Sequence, residues 1–581
     1  MPNALGSPSG HGSTERGLIE AAVKTAAPLS PKTGSPPKFD GRFGRMFPGL
    51  RGAAFFDADL TSLAEAMSAD DEAEATPETE VDSEENLGLP AGYTYFGQFV
   101  DHDISLDAVS LSMKQEDLNL TENFRTPALD LDSLYGRGPE DQPYMYGVDG
   151  TFVMNARSLL AGPGGDALTK DLPRLNGRAI IGDKRNDENV IVSQLHGLFL
   201  RLHNYFIIDK KMGFGQARQM VQWHYQWLVL FDYLPRIVGA DLVKSILPHT
   251  ATGASIAVVK PSLKIYSWDK FPFMPVEFAG AAYRFGHSMV RPIYRLNLND
   301  AVGKVEPQPG QEAQPGGRLK VFQPSINGEA LNGFREFPDT LGIDWDLFFE
   351  TKGRLLKDHF LNKDRIQPAY KIDTSLVFPL KRLPEFSDNA GNPNAPGAVN
   401  ALALRNLKRG MMLLLPSGQS VAQYLIDHGV AGVRVLKDDE LLVGKADAEN
   451  FDAGVPIFSP AKIEGGVKKD AVRTSMQDSA PLWFYMLAEA RFEWKQAATQ
   501  ALLAAGNPTE AQREALINGT PTRLGPVGGR IVAETLIGLV LGDETSFLNS
   551  PTPFVPIFGN AAETEITKRF QMGDLLKTLV V

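Results

Sequence analysis

Apolar residues recur every three to four positions along several long stretches of the chain, the pattern of an amphipathic or buried α-helix. This pattern predicts helices over six segments: Val190–Ile208, Ala217–Leu230, Leu341–Phe360, Ala398–Met412, Ala480–Ala504 and Ile531–Leu541. The alternation of apolar and polar residues that marks a half-buried strand is scarce. The sequence therefore predicts a mainly α-helical protein with few short strands.

Polar stretches set the expected domain boundaries. Residues 1–50 begin with a run rich in Gly, Ser, Pro and Thr and are interpreted as a flexible leader. Residues 51–88 form an acidic segment, since nine acids and no base occur from Asp70 to Glu85, a composition typical of a solvated insertion. Turn-forming runs at Val305–Gly317 and Ser387–Gly397 predict surface loops. Because no later linker separates two apolar sets, residues 89–581 are expected to form one large domain.

Composition narrows the chemistry. The 581 residues include no cysteine, which excludes disulfides, thiolate catalysis, zinc–thiolate sites, iron–sulfur clusters and thiolate-ligated haem. Any metal must be held by histidine, carboxylate or carbonyl groups. Lys and Arg number 58 against 70 Asp and Glu, a net charge of −12 that argues against nucleic acid or an anionic membrane as the main partner.

The sequence shows no recognisable targeting signal that would indicate a cellular compartment. No run approaches the ~18 apolar residues of a membrane span, so no transmembrane segment is expected. The first residues lack the basic and apolar regions of a secretory signal. We therefore expect either a cytoplasmic protein or one secreted by a signal-independent route.

The first segment with candidate chemistry is GQFVDHD, residues 97–103. In a helix, Gln98, Asp101 and His102 share one face, while Asp103 points about 100° away from His102. An imidazole and an amide facing a pocket suit peroxide or metal chemistry, whereas a solvated surface helix explains the same residues without function.

Three further segments carry candidates. Residues 183–206 place Arg185 and Glu188 at the start of a helix that is apolar nearly all round, and its His196 and His203 are interpreted as core histidines. In YRFGHSMVR, residues 283–291, His287 follows a glycine. In LALRNLKRG, residues 402–410, a buried asparagine needs a partner, for which an imidazole N–H is one candidate.

Taken in order, GQFVDHD, RTPALDLDSLYG, GDKRNDEN, YRFGHSMVRP and LRNLKRG resemble the animal-type haem peroxidases of the peroxidase–cyclooxygenase superfamily. Two late segments, PLWFYMLAEA and GPVGGRIVAETLIGL, are similar to the closing helices of bacterial members. The resemblance implies a single helical domain around a buried haem b, which agrees with the helical pattern.

Carried over by position, the resemblance assigns a role to each candidate. His102 is the distal acid–base, with Gln98 beside it and Arg185 as the distal arginine. His287 is the proximal iron ligand, and Asn406 accepts its Nδ1–H. The remaining haem contacts are the propionate partners Arg284 and Arg409 and the candidates for ester bonds to haem, Asp101 and Glu188.

The resemblance also implies a calcium site, since oxygen ligands from a helix and a loop are what Ca²⁺ takes. Its expected ligands are Asp103, Thr126, the carbonyl of Ala128, Asp130 and Asp132.

The chain departs from the family at several points. Asn189 stands where myeloperoxidase has the methionine that links to haem, and the RDHG run of the mammalian enzymes is missing after Arg409. Cyclooxygenases have a tyrosine three residues before the proximal histidine; here that position is Arg284, and Tyr283 lies one residue earlier. This departure weakens the case for radical-based lipid oxygenation.

The resemblance implies a haem peroxidase that reduces hydrogen peroxide and oxidises halides, pseudohalides or small aromatic donors through a ferryl intermediate, in a setting such as the response to oxidative stress. A haem-dependent fatty-acid dioxygenase is the alternative. A third hypothesis, less favoured, is a non-catalytic haem- or calcium-binding protein.

Overall fold

Helices make up most of the regular structure, as the sequence predicts. The computed structural model describes residues 43–70, 82–106, 123–155, 171–253, 255–269, 271–297, 318–322, 331–351, 366–383, 400–464, 467–469 and 471–579. Within them the α-helices are α1 Asp57–Ala66, α2 Gly92–Ile104, α3 Asp132–Tyr135, α4 Val190–Ile208, α5 Phe214–Trp227, α6 Leu234–Val238, α7 Ala240–Ile246, α8 Val276–Gly280, α9 Leu402–Met412, α10 Gly418–Asp427, α11 Leu482–Ala505, α12 Glu510–Gly519, α13 Pro526–Gly542, α14 Ile566–Arg569 and α15 Met572–Leu579.

Shorter helical segments connect these helices. A π-helical segment, Leu228–Tyr233, joins α5 to α6, and Pro235 follows it. Because proline has no N–H for the carbonyl four residues back, the widened turn accommodates the missing hydrogen bond. The described 3₁₀ turns are Pro143–Met145, Lys184–Asp187, Ala282–His287, Asp339–Leu341, Trp345–Leu347, Phe378–Lys381 and Thr474–Met476.

Strands are few and short, as expected. They are β1 Phe43–Gly44, β2 Glu85–Pro90, β3 Arg174–Leu175, β4 Arg178–Ala179, β5 His249–Thr252, β6 Ser255–Val258, β7 Met274–Pro275, β8 Ile293–Arg295, β9 Arg318–Lys320, β10 Pro368–Tyr370, β11 Leu442–Val443, β12 Val455–Pro456, β13 Lys462–Glu464 and β14 Val467–Lys469. All lie in two-stranded sheets, antiparallel except for the parallel pair of β1 with β7. The antiparallel pair of β2 with β10 places Pro90 opposite Pro368 and leads directly into α2.

Five of the six predicted helices are present, one of them with its predicted ends. This is α4, which is buried nearly all round. The helix expected over Leu341–Phe360 is wrong for its described part, which holds only the 3₁₀ turns on either side of Asp344. The Asp344 side chain accepts a hydrogen bond from the N–H of Asp346, which offers the backbone an alternative to the helix. The apolar residues of this stretch are buried all the same, so the periodicity reflects burial.

The core around α2 and α4 is aromatic. Phe99 stacks on Phe199 with ring centroids 4.9 Å apart, and Tyr225 of α5 meets both rings edge-on. Truncating such a buried aromatic side chain to alanine typically costs about 3–5 kcal/mol. This packing fixes the orientation of α2, on which the candidate site depends.

The acidic segment ends differently from the prediction. Glu84 and Glu85 are buried and paired, Glu84 with Lys445 at 2.8 Å and Glu85 with Arg291 at 2.9 Å. The expectation of a solvated acidic run is therefore wrong for its last two residues, because basic partners from distant segments neutralise them. Residues 71–81 and both predicted surface loops, Val305–Gly317 and Ser387–Gly397, lie outside the described residues, as does most of the leader.

The proposed domain boundaries at residues 50 and 88 stay predictions. Helix α1, which lies between these two boundaries, packs against α9 of the large domain. Across the described residues, no helix is both long enough and apolar enough to cross a membrane.

Candidate functional site

A cavity of about 780 Å³ lies among α2, the 3₁₀ turn Ala282–His287 and α9. Its volume falls in the range of sites that take drug-sized ligands and cofactors. The tertiary structure brings eight predicted site residues to its lining: Gln98, Asp101, His102, Glu188, Arg284, His287, Asn406 and Arg409. We call the lining from α2 and residues 184–189 the distal wall, and the lining from residues 282–287 and α9 the proximal wall.

Helix α2 presents the distal residues as its periodicity predicts. Gln98, Asp101 and His102 share the face toward the cavity, while Asp103 is buried on another side. A glycine allows close packing at the edge of this face, because a Cβ at Gly97 would lie 2.5 Å from the hydroxyl of Tyr233, which also lines the cavity. The helix thus separates two groups of polar residues that are neighbours in sequence.

His102 is held by a buried hydrogen-bond chain. Its Nδ1 lies 2.8 Å from Oδ1 of Asn186, whose Nδ2 lies 3.0 Å from Nδ1 of His196 on α4. Burial, followed by the positive charge of Arg185, lowers the pKa of His102 to about 4. The ring is therefore neutral at pH 7 and can accept a proton.

The amide of Gln98 connects α2 to Glu188 and Asn189 of the distal wall. It donates from Nε2 to Oε1 of Glu188 and accepts at Oε1 from Nδ2 of Asn189 at 3.1 Å. Oε1 of Glu188 also lies 3.7 Å from Nε2 of His102. Asp101 accepts a hydrogen bond of 2.9 Å from the hydroxyl of Ser105. Two carboxylates therefore reach the cavity on this wall.

Arg185 lies behind the distal wall and is absent from the cavity lining described above. Its Nη2 donates to the main-chain carbonyl of His102 at 2.9 Å and to Asp183 at 2.8 Å. The same Asp183 carboxylate pairs with the buried Arg125. These contacts fix the backbone of His102, while the predicted role of Arg185 toward bound peroxide stays a prediction.

The proximal wall presents His287 from the 3₁₀ turn and Asn406 from α9. The expected contact exists, with Nδ1 of His287 2.9 Å from the Asn406 amide, but the atom that faces the ring is Nδ2. Arg284 explains this orientation. Its Nη1 donates to Oδ1 of Asn406 at 3.2 Å, and a guanidinium can only donate. Burial, then the charge of Arg284, lowers the pKa of His287 to about 3.

Sequence reasoning missed several residues at this site. Arg405 lines the cavity one turn before Arg409 on α9, a spacing that could have revealed it. Tyr233 and Tyr283 also line the cavity, and burial raises the pKa of both hydroxyls. Asn186 lies within the GDKRNDEN segment, but no pattern in the sequence marks its contact with His102.

The predicted calcium ligands meet behind α2. Carboxylate oxygens of Asp103, Asp130 and Asp132 lie within 4.8 Å of one another, and all three residues are buried. The hydroxyl of Thr126 lies 3.2 Å from the Asp132 carboxylate, and Ala128 is buried in the same loop.

The surroundings of these carboxylates fit a cation. Burial, then the charge of Asp130, raises the pKa of Asp103 to about 7. The loop also holds Leu131 at a φ of +56°, a strained conformation for a residue with a side chain, and its N–H donates to Asp103 at 3.1 Å. Three carboxylates crowded away from water are the arrangement that a hard cation would neutralise.

Comparison with known proteins supports the resemblance over part of the chain. Residues 117–315 match the family model described as Animal haem peroxidase, about a third of the sequence. Human myeloperoxidase is 25% identical over 211 residues, which is 32% of this chain and 26% of that protein. Chorion peroxidase of Aedes aegypti is 23% identical over 186 residues, 29% of this chain and 22% of that protein. These matches span about a quarter of the length of each relative.

Solved structures are similar over nearly the whole chain, but their sequence identity is lower than that of the relatives above. Peroxidase A of Dictyostelium discoideum is similar over 93% of both chains with a TM-score of 0.50 and 15% identity, which supports the fold alone. Fatty acid alpha-dioxygenase of Arabidopsis thaliana reaches a TM-score of 0.47 at 12% identity, too low to bear on the reaction.

Proposed function

We propose that this protein is a haem peroxidase that reduces hydrogen peroxide and oxidises halides, pseudohalides or small aromatic donors. One observation carries the proposal. A neutral, buried His102 and a second, half-buried imidazole, His287, come from separate elements and line one cavity. The partial match to the animal haem peroxidase model supports it.

The cavity residues fit a haem. His287 would ligate iron through Nε2, and a Cβ at the neighbouring Gly286 would meet nothing within 4 Å, which leaves room for a flat ring. Arg284 and Arg409, with Arg405, supply guanidinium groups suited to the two propionates. When bound, haem would supply the redox chemistry that cleaves the peroxide bond.

Iron ligation sets a requirement on Asn406. A ligand nitrogen at Nε2 leaves the imidazole proton on Nδ1, and that proton needs an acceptor. The amide must therefore turn its oxygen toward His287, which requires Arg284 to give up its hydrogen bond to that oxygen. Arg284 would meet this requirement by pairing with a haem propionate in place of Asn406.

The distal wall would handle the protons. Neutral His102 accepts a proton from hydrogen peroxide at Nε2 and returns it to the departing oxygen. Gln98 can hydrogen-bond small ligands beside it, and Arg185 holds the His102 backbone in place. Asp101 and Glu188, which also line the cavity, are the candidates for ester bonds to haem. A Ca²⁺ held by Asp103 and its neighbours would brace α2 from behind.

The proposal is tested by the absorption spectrum of the purified protein before and after peroxide. A haem peroxidase shows an intense Soret band that changes on mixing with peroxide and returns when bromide, thiocyanate or guaiacol is added. A protein without a Soret band after expression with added haem would contradict the proposal. Bromide oxidation without guaiacol oxidation, or the reverse, identifies the donor class.

A fatty-acid dioxygenase is a second candidate, favoured by the apolar part of the lining. Besides the polar walls, the cavity is lined by these side chains: Val290, Val321, Phe322, Leu331, Phe334, Leu380, Leu383 and Leu402. Tyr283 also reaches the cavity, although not from the position that carries the tyrosine of cyclooxygenases. Oxygen uptake that depends on palmitate would establish this activity, and uptake unchanged by palmitate would exclude it.

A further inference from the structure

Asn186 lies between two histidines and is hydrogen-bonded to both. It lies in the 3₁₀ turn Lys184–Asp187, is completely buried and contacts a different imidazole with each end of its amide. On one side is His102, which lines the cavity. On the other side is His196 of α4, which is buried and lies edge-on to the Phe99 ring of α2.

Each end of the Asn186 amide determines which ring nitrogen of the histidine it contacts carries a proton. Oδ1 can only accept, so at 2.8 Å it requires a proton on Nδ1 of His102. A neutral imidazole carries one N–H, so Nε2 of His102 then keeps its lone pair. Nδ2 can only donate, so His196 accepts at Nδ1 and carries its own proton on Nε2.

His196 contacts the other end of the amide. Its Nε2 has no hydrogen-bond partner among the described residues, and the edge-on Phe99 ring is 6.0 Å away, centroid to centroid. The structure therefore leaves a buried N–H without a hydrogen bond, a cost of a kind that folded proteins seldom retain without a compensating use. The main chain restrains Asn186 as well, because its N–H donates to the carbonyl of Asp183 at 3.1 Å.

We propose that Asn186 is a positioning residue that fixes His102 in the tautomer with its proton on Nδ1 and its basic Nε2 in the cavity. This inference deepens the proposed function and rests on it for its catalytic meaning. The step it serves is the transfer of one proton from hydrogen peroxide to Nε2, which yields a hydroperoxide anion and an imidazolium.

Histidine tautomers can be measured without any turnover. The full chain is labelled with ¹⁵N at its nine histidines and studied with zinc protoporphyrin added, because zinc is diamagnetic and keeps the signals sharp. The His102→Gln variant assigns the His102 signals by their loss. We expect the wild-type His102 to carry its proton on Nδ1. A proton on Nε2 in the wild type would overturn the proposal whatever the variants do.

Two variants and a control separate positioning from folding. Asn186→Leu removes the acceptor and should release the tautomer preference, whereas Asn186→Asp keeps an oxygen acceptor and should retain it. The control is Asn204→Leu on α4, which removes a buried asparagine bonded to both main-chain polar groups of Phe152, at 2.7 and 3.0 Å. An unchanged tautomer in a folded Asn186→Leu protein would contradict the proposal.

A kinetic measurement links the tautomer to the reaction. In the haem-loaded protein, Asn186→Leu should slow the reaction with peroxide on the order of ten-fold or more, because a misplaced acid–base group transfers the proton less well. The affinity for haem should be unchanged. Asn204→Leu should react at the parent rate. If the parent itself does not react with peroxide, the proposed function fails while the tautomer measurement still decides the role of Asn186. An Asn186→Leu rate equal to the parent's would overturn the catalytic part.

Discussion

The distal and proximal walls of the cavity each present a histidine, but their surroundings differ in charge. The distal wall places carboxylates, Asp101 and Glu188, near an imidazole whose Nδ1 contacts a neutral amide. The proximal wall surrounds its imidazole with arginines, and its amide is held by a guanidinium. Burial lowers the pKa of both rings, so burial alone does not distinguish the two histidines.

The difference suggests a division of labour. Arginines recognise carboxylates by charge and geometry, which suits the wall that would hold haem propionates. A neutral histidine beside hydrogen-bonding amides suits proton transfer. If the two walls divide the work in this way, replacing the histidine of each wall should cause a different loss.

Replacing His287 by alanine should abolish tight haem binding, because it removes the proposed iron ligand. Haem titration followed by the Soret band, with size-exclusion chromatography to remove loosely bound haem, measures the loss. His203→Ala serves as the control, since that histidine is held in the core by Tyr135 and the Gly150 carbonyl. An unaltered Soret band in His287→Ala would break the assignment of the proximal wall.

Replacing His102 by alanine should slow the reaction with peroxide by about 10²-fold or more while leaving haem bound, since a positioned acid–base acts in the transition state. Stopped-flow absorption after mixing with peroxide measures the rate. The two walls have different roles if His287→Ala loses haem while His102→Ala keeps haem but reacts more slowly with peroxide. A parent-like rate in His102→Ala would mean that the distal wall does not transfer the proton.

Removing calcium should lower both stability and activity. A bound ion at a hundred times its Kd adds about 2.7 kcal/mol to the free energy of unfolding, and its loss would loosen α2 behind His102. Metal analysis of the purified protein, then thermal unfolding with and without a chelator, measures this. Asp103→Asn should reproduce the effect of the chelator. Protein that contains no calcium and is indifferent to chelation would contradict the prediction.

Ester bonds to haem should form during turnover with peroxide if Asp101 and Glu188 are the ester-forming residues that the family resemblance implies. Extraction with acidified organic solvent would then leave part of the haem on the protein, and Asp101→Asn with Glu188→Gln should release it fully. Haem that leaves the peroxide-treated parent completely would show that these carboxylates remain free acids.

The smallest effect is expected for the arginines of α9. Arg409→Met should weaken haem binding severalfold, because each partly exposed guanidinium contributes modestly to holding a propionate. Lys408→Met is the matched control on the same helix, since its ammonium faces away from the cavity and pairs with Asp57 at 2.8 Å. Equal affinities for both variants would argue that α9 does not hold the propionates.

Much of the fold could be predicted because the spacing of apolar residues within one stretch of sequence is enough to indicate a helix. The ends of α4 agree with its apolar pattern, and the face shared by Gln98, Asp101 and His102 follows from helical geometry alone. The failure near Leu341 shows the limit of the method. Apolar spacing records which residues are buried, and burial there is achieved by turns.

The sequence by itself determined the helical class, the exclusion of cysteine chemistry and eight of the residues around the cavity, because these depend on residue type and local spacing. Only the tertiary structure decided how they act on one another. It placed Asn186 between His102 and His196, turned the Asn406 amide toward Arg284, and set Arg185 behind the wall rather than in it. Such contacts join residues far apart in the chain, and hydrogen-bond direction depends on all partners at once, so no local pattern encodes them.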